Sequence, residues 1–306
     1  MPQLECPTLT LMLTLHHLAE LKARYPDALS AQVNEFTLGG REFRFNSRPE
    51  IMGVINLSPD SWYRESVCLS TDDAIRRGRV LAAQGASILD IGAESTLAHA
   101  ARAEDVLQNS RLLPVIRTLA QEGLAVSVET YLPSVARSCF EAGAQVLNLT
   151  GVEGSAEMFQ LAAEKDAAVI ICFVQGAHVR AVGDLELGKD PIGAMYEFFA
   201  RQAELATRAG VRRLLIDPGL GFYYKNLQDS SLRIRHQMSV FLNSFRLRTL
   251  GHPVCQALPH AFECFGEEVR SAEPYFAVLA ALGKTDLFRT HEVARVKAVL
   301  DTLHIF

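Results

Sequence analysis

The sequence predicts a closed barrel of eight parallel β-strands, each followed by an α-helix, which is the (β/α)8 or TIM-barrel class of α/β fold. From residue 51 onward, eight short runs rich in β-branched residues alternate with longer helical patterns. Eight such units in about 250 residues suit one closed barrel. A doubly wound open sheet would often carry a glycine-rich phosphate loop after its first strand, and no G-x-G-x-x-G string occurs there.

The elements of this barrel follow one another along the chain. The predicted strands are 51–56, 87–91, 125–129, 145–148, 168–173, 213–217, 253–256 and 286–289. The predicted helices lie near 72–85, 102–122, 132–142, 155–165, 191–209, 227–248, 271–283 and 291–303. Residues 1–50 are expected to form a helical and hairpin extension that packs on the barrel, with the hairpin around Gly39-Gly40, and residues 51–306 form the barrel domain.

Composition excludes several classes of function. The net charge is −5 and the basic residues are scattered, so neither nucleic acid nor an anionic membrane is an expected partner. The six cysteines lie far apart without a C-x-x-C pair, which indicates a reducing compartment rather than a disulfide framework or a zinc motif. The first residues lack a basic segment and a cleavage site, so no signal peptide or membrane span is expected. We therefore expect a cytoplasmic protein.

The predicted strands end on polar residues. These are Asn56, Asp90 with Glu94, Glu129, Asn148, Gln175, Asp217, Gln256, and Arg289 with His291. The carboxyl ends of all strands in such a barrel meet at one face, where TIM-barrel enzymes place their active sites. We therefore expect these side chains to line one crater.

Several strings at these strand ends resemble the signatures of the dihydropteroate synthase family. They are M-G-V-I-N at 52–56 with S-P-D-S at 58–61, I-L-D-I-G-A-E-S-T at 88–96, V-S-V-E-T at 126–130, V-L-N at 146–148, I-D-P-G-L-G-F at 216–222 and R-T-H at 289–291. They occur in the family's order and spacing and span residues 51–303. The resemblance implies a pterin-binding barrel.

The resemblance also implies a reaction. A transferase of this family joins the hydroxymethyl carbon of a dihydropterin pyrophosphate to the amine of p-aminobenzoate, or a related arylamine, and releases pyrophosphate in folate biosynthesis. The partners are thus two small molecules, the cofactor is Mg²⁺, which takes oxygen ligands, and the expected assembly is a homodimer.

Individual residues match family positions. Asp217 matches the carboxylate that holds the amino and ring N–H edge of the pterin, although D-P-G is also a common turn. Asn148 matches a pterin-contacting amide, with a structural tie between loops as the alternative. Further matches are Asn56 for Mg²⁺ and pyrophosphate, Arg289 and His291 for the pterin face and phosphates, Phe222 for the aminobenzoate, and Thr96 and Glu129 among the substrate-binding positions.

Other positions depart from the family pattern. Glu129 stands in place of an aspartate, and Leu149 replaces an acidic residue. The segment L-A-H at 97–99 replaces an arginine-containing loop, for which Arg64, His99 or Arg102 could substitute. His260 stands where the family has a lysine, and Ala261 where it has a serine. We expect His260 to be catalytic together with Asp217, Arg289 and His291.

Two other functions remain open from these residues. One is a reduced-folate one-carbon transferase, which would share the barrel, the aspartate and the asparagine but needs no pyrophosphate site. The other is a non-catalytic pterin-binding or partner protein, suggested by the missing lysine and arginine. The S-P-D-S loop at 58–61 favours the synthase, because the methyltransferase branch lacks it.

Overall fold

The computed structural model describes residues 12–60, 63, 66–95, 103–186, 188–222 and 224–305. Ahead of the barrel come α1 (Leu15–Arg24), α2 (Pro26–Leu29), β1 (Phe36–Leu38) and β2 (Arg41–Phe43). The barrel strands are β3 (Glu50–Asn56), β4 (Ile88–Gly92), β5 (Val126–Thr130), β6 (Val146–Leu149), β7 (Ala168–Cys172), β8 (Arg213–Asp217), β9 (Cys255–Ala257) and β10 (Leu287–Thr290). Its helices are α3 (Thr71–Ala83), α4 (Asp105–Gln121), α5 (Pro133–Glu141), α6 (Ser155–Glu164), α7 (Pro191–Arg208), α8 (Ser230–Asn243), α9 (Phe262–Phe265), α10 (Ala272–Leu282) and α11 (Val293–Ile305).

Parallel pairing closes the strands into a barrel. The strands lie in the order β8-β7-β6-β5-β4-β3-β10-β9, and all these pairs are parallel. A parallel bridge between Ile216 and Val254 joins β8 to the start of β9 and completes the circle. The predicted fold class, an eight-stranded (β/α)8 barrel, is confirmed. None of the described helices combines the length and apolarity needed to cross a membrane.

Two layers of apolar side chains stabilise the barrel. The larger cluster lies between the strands and the helices and contains fully buried aromatic rings such as Phe159, Phe199 and Phe276. The smaller cluster fills the barrel interior with residues such as Met52 and Leu215. Because side chains alternate along a strand, successive residues belong in turn to the cluster inside the barrel and to the cluster beneath the helices. The β-branched runs are therefore apolar on both faces, as a parallel sheet covered by helices requires.

The hairpin β1–β2 closes the amino-terminal end of the barrel. Leu38 and Phe43 of the hairpin, with Phe45 just after it, belong to the same buried cluster as Met52 and Leu287 inside the barrel. Glycines at 39 and 40, both with positive φ, make the turn. The hairpin is found where the sequence predicts it. The division into an extension at 1–50 and a barrel at 51–306 remains a prediction.

The alternation of side chains also decides which strand-end residues enter the barrel. Gln256 lies between the inward-facing Cys255 and Ala257, so its own side chain points toward the helices and is fully buried there. The Gln175 side chain also does not face the pocket. Its amide donates to the backbone carbonyl of Glu186 and accepts from the backbone N–H of the same residue, both at 2.6 Å. The expectation that all polar strand ends face one crater is therefore wrong for Gln175 and Gln256.

Candidate active site

A pocket opens at the carboxyl ends of the barrel strands. All of the predicted site residues that the structure describes line it: Asn56, Glu129, Asn148, Asp217, Phe222, His260, Arg289 and His291. Thr96 lies outside the described residues, and so do Arg64, His99 and Arg102, the predicted substitutes for the loop arginine. Eight side chains from six barrel strands and their loops thus converge on one site.

Asp90 on β4 organises the floor of this pocket. Its side chain is fully buried. One oxygen accepts a hydrogen bond from the Ser127 hydroxyl at 2.7 Å. The other accepts from Asn148 Nδ2 at 3.0 Å and from Arg289 Nε at 2.7 Å. Asp90 therefore fixes the positions of an amide and a guanidinium that both face the pocket. The Asn148 side chain does tie elements together, yet its amide keeps hydrogen-bonding capacity for a ligand.

Glu129 on β5 reaches the same guanidinium from the other side. Its carboxylate accepts a hydrogen bond from Arg289 Nη2. Burial raises the pKa of the Glu129 carboxyl to about 7, although the charge of Arg289 acts in the opposite direction. The longer side chain of glutamate spans the distance to the arginine. Arg289 is consequently held in a fixed plane by two carboxylates.

Asp217, the last residue of β8, lies at the bottom of the pocket. Its Oδ1 accepts a hydrogen bond from the backbone N–H of Gly219 at 2.7 Å. Gly219 has a φ of +73°, and a Cβ atom there would lie 2.4 Å from the Phe173 carbonyl oxygen, so only glycine fits. Burial raises the pKa of Asp217 to about 6. The residue thus both stabilises a D-P-G turn and presents a carboxylate to the pocket.

We expect Asp217→Asn to stabilise the ligand-free protein in a pH-dependent way. A folded-state pKa of about 6 exceeds the ordinary value of 3.8, so this carboxyl favours folding at low pH and loses that contribution as the pH rises through 6. The asparagine variant should exceed the parent protein in free energy of unfolding by about 1–3 kcal/mol at pH 8. That difference should shrink toward zero near pH 3.5, below the ordinary pKa of 3.8, because the carboxyl is then protonated in both the folded and the unfolded state. Urea denaturation at both pH values measures it, and a difference independent of pH would contradict the assignment.

His291 follows β10 and is supported from behind by Glu273, which is fully buried in the first turn of α10. Glu273 Oε1 lies 2.7 Å from His291 Nδ1. Glu273 Oε2 accepts hydrogen bonds from the backbone N–H groups of His291 and Glu292, at 2.9 and 3.1 Å. On its other edge, His291 Nε2 lies 3.3 Å from Asn56 Nδ2. The imidazole is therefore held at both nitrogens.

His260 forms the wall of the pocket after β9. Tyr63 stacks on its ring, with centroids 4.6 Å apart and planes 13° apart. Burial and the neighbouring His291 imidazole lower the pKa of His260 to about 4, so this side chain is neutral at neutral pH. It does not supply the permanent positive charge of a lysine. The next residue, Ala261, has a φ of +43°, a conformation rare outside glycine.

Further residues in and around the pocket have no role predicted from the sequence. Tyr63 lines the pocket, whereas Asp90, Glu273 and Arg180 lie behind its lining residues. The sequence identifies Asp90 only as a polar strand end, although its spacing of two from the inward-facing Ile88 indicates the barrel interior. Tyr63 and Glu273 carry no such signal, since one lies in a loop and the other begins a helix. Arg180, which lies 3.2 Å from Glu94 and bonds the Ser95 carbonyl, is a buried cation beside the pocket.

Comparison with known proteins places this geometry in a family. Residues 52–253, more than half of the chain, match the model of the pterin-binding enzymes. The dihydropteroate synthase of Synechocystis is 28% identical over 281 residues, which cover 87% of this chain and 94% of the relative. A probable bifunctional folylpolyglutamate synthase/dihydropteroate synthase of Haloferax volcanii is 31% identical over 83% of this chain and 30% of its own length.

Solved structures agree with the sequence relatives. The dihydropteroate synthase of Xanthomonas albilineans with 4-aminobenzoic acid superposes with a TM-score of 0.73 at 27% identity, covering 90% of this chain and 98% of that one. That of Thermus thermophilus in complex with 4-aminobenzoate gives a TM-score of 0.72 at 26% identity, covering 89% and 100%. The family resemblance and the enzyme class predicted from the strand-end motifs are confirmed. This chain belongs to the pterin-binding enzymes, as a transferase of the dihydropteroate synthase type.

Proposed function

We propose that the pocket joins a 6-hydroxymethyl-dihydropterin pyrophosphate to the amine of p-aminobenzoate or a related arylamine, with release of pyrophosphate. One observation carries this proposal: all eight described residues that the sequence predicts for the site line a single pocket, at the face where such barrels perform catalysis. In the reaction, the bond from the methylene carbon to the pyrophosphate oxygen breaks. The amine nitrogen forms a bond to that carbon and loses a proton.

The floor of the pocket suits the pterin ring. The ring edge offers adjacent N–H donors, which the Asp217 carboxylate accepts at the closed end of the pocket. Asn148 adds a donor and an acceptor beside it. Arg289, held between Asp90 and Glu129, lies where its guanidinium can face the ring and its substituent. Each of these groups is fixed by protein contacts before the ligand binds, so little reorganisation is needed.

The upper pocket suits the two other reacting groups. Phe222 provides an aromatic wall for the arylamine. Asn56 and His291 lie side by side where the resemblance puts the pyrophosphate. Both hydrogen bonds of the Asn56 amide, to Ser66 and His291, use Nδ2, which leaves its oxygen for a hard cation. Asn56 therefore fits Mg²⁺ as one protein ligand, with phosphate oxygens as the others. When bound, Mg²⁺ would neutralise charge on the leaving pyrophosphate.

The setting proposed with this function is a cytoplasmic homodimer that acts on two small molecules. The five cysteines in the described part of the chain are free, which supports a reducing compartment. The dimer rests on the family resemblance alone. The molecular mass of the purified protein in solution tests whether it is a dimer.

Pyrophosphate release tests the reaction. Purified protein with the dihydropterin pyrophosphate, p-aminobenzoate and Mg²⁺ should release pyrophosphate and form dihydropteroate in equal amounts. Omitting the arylamine is the control and should abolish both. If neither product forms while the bare pterin binds in calorimetry, the synthase proposal is wrong and a pterin-binding protein remains. Methyl transfer from a reduced folate under the same conditions would instead indicate a one-carbon transferase.

A further inference from the structure

A cluster of two imidazoles and one carboxylate lies in the pocket wall between β9 and β10. It consists of His260, Glu273 and His291. Glu273 Oε1 lies 2.7 Å from His291 Nδ1 and 3.5 Å from His260 Nδ1. One ligand atom from each residue lies within 4.8 Å of those from the other two. The three residues come from separate segments of the chain, so no local metal-binding motif in the sequence predicts the cluster.

We propose that His260, Glu273 and His291 bind a divalent transition metal ion of the zinc class. This site is distinct from the Asn56 position assigned to Mg²⁺, and the proposal does not depend on which reaction the pocket performs. Two histidines with one glutamate form a known ligand set for Zn²⁺. Imidazole nitrogen favours zinc and its transition-metal neighbours over Mg²⁺ or Ca²⁺, which prefer oxygen ligands.

One nitrogen of the cluster has no hydrogen-bond partner among the described residues. His260 Nδ1 is buried, and no hydrogen-bond partner for it is found in the described part of the chain. The 3.5 Å contact with Glu273 is too long for a good hydrogen bond. Meanwhile the Oε2 atom of Glu273 is occupied by the backbone N–H groups of His291 and Glu292 and by a hydroxyl. Its Oε1 atom is therefore the oxygen presented to both imidazoles.

The spacing of the donor atoms suits a shared metal ion. Ligand atoms bound to one tetrahedral Zn²⁺ at usual bond lengths lie about 3.3 Å apart. The two carboxylate–imidazole separations, 2.7 and 3.5 Å, lie on either side of that value. A metal ion would replace the contact between His291 Nδ1 and Glu273 Oε1. The ligand atoms of the two imidazoles lie within 4.8 Å of each other, so a ring movement would bring them to the spacing of a shared ion.

The surrounding contacts hold the ligands in place, as the groups around a metal site usually do. The Tyr63 ring stacks on His260 and lies 4.8 Å from the His291 ring. Its hydroxyl donates to Glu292 at 2.5 Å, which anchors the tyrosine. His260 and His291 line the pocket, so any coordination position left open by the three residues faces the pocket. A bound metal ion would thus be accessible to an oxygen of a ligand.

Zinc binding by the tag-free, chelator-treated protein tests the proposal. Calorimetry and elemental analysis should give about one tightly bound Zn²⁺ per chain. His260→Ala and His291→Ala should each weaken Zn²⁺ binding by at least tenfold, since each removes a direct ligand. Co²⁺ in place of Zn²⁺ should give an absorption spectrum of tetrahedral or five-coordinate cobalt that both variants lose.

His236→Ala is the matched control, because His236 is also partly buried but lies outside the cluster. Its Zn²⁺ affinity should equal that of the parent protein. Circular dichroism of each metal-free variant checks that the fold is retained. If the parent protein binds no Zn²⁺, or if His260→Ala binds it as tightly as His236→Ala does, the proposal is wrong. Glu273 then serves only to orient His291.

Discussion

Asp217→Asn is expected to weaken binding of the pterin by at least tenfold. The carboxylate accepts from neighbouring N–H donors on the ring, whereas an asparagine opposes one of them with its own NH₂ group. Losing a hydrogen bond to a charged partner costs about 1.5–3 kcal/mol, which corresponds to tenfold or more in affinity. Calorimetry with 6-hydroxymethyl-dihydropterin at pH 8 measures the effect. Without ligand, the same variant should be more stable than the parent protein, because the buried carboxylate of Asp217 lowers the stability of the empty pocket. Asp217 therefore favours ligand binding at the expense of folding stability.

Asp229→Asn provides a control with the same chemical change outside the pocket. Asp229 caps α8 by accepting from the Leu232 N–H at 2.9 Å, and asparagine caps helices equally well. Its affinity for the pterin should match that of the parent protein. If Asp217→Asn also retained full affinity, the pterin would have to bind elsewhere. The assignment of the pocket floor would then be withdrawn.

Arg289→Met should have the largest effect on both stability and catalysis. It leaves the fully buried Asp90 and the nearly buried Glu129 without their cation. Removing one partner of a buried ion pair costs about 3–5 kcal/mol, because the remaining charge is uncompensated. Turnover should fall by about a hundredfold or more, as for the loss of a preorganised electrostatic contact. Urea denaturation and the pyrophosphate-release assay measure the two effects.

A double variant separates the two contributions of Arg289. In Arg289→Met/Glu129→Gln one unpaired carboxylate is gone, so part of the stability should return while turnover stays low. The control is Arg213→Met, which breaks the half-exposed pair with Asp166 at the opposite end of the barrel and should cost about 1 kcal/mol or less. If the double variant regained turnover, Arg289 would be a structural residue only.

The sequence was sufficient to predict the barrel and the residues of its floor. Each strand is a short apolar run that ends on a polar residue, and closure of the barrel necessarily brings those ends together. Asn56, Asn148 and Asp217 could thus be assigned to one pocket from their positions alone. The prediction for Gln256 was wrong because its strand has only three residues, and so short a pattern does not show which of them faces the barrel interior.

Other parts of the site could not be inferred from the chain. Glu273 stands in the first turn of a helix, where a glutamate is ordinarily exposed to solvent. Only the packing of α10 against the end of β10 buries it beside His291 and Thr290. The position of Arg289 likewise depends on Glu129. Glu129 is one methylene longer than the aspartate of the family pattern, and the sequence does not show that this length brings its carboxylate to Arg289. Contacts of this kind join segments that are far apart in the chain, so the local spacing of residues in the sequence does not predict them.

The hairpin that plugs the amino-terminal end of the barrel leaves the carboxyl-terminal face as the route to the pocket. Leu38, Phe43 and Phe45 fill the amino-terminal end with buried apolar side chains. The loops after β8 and β9 line the pocket at the other end. Both proposed substrates and the coupled product would therefore share one entrance, at the end of the barrel opposite the hairpin.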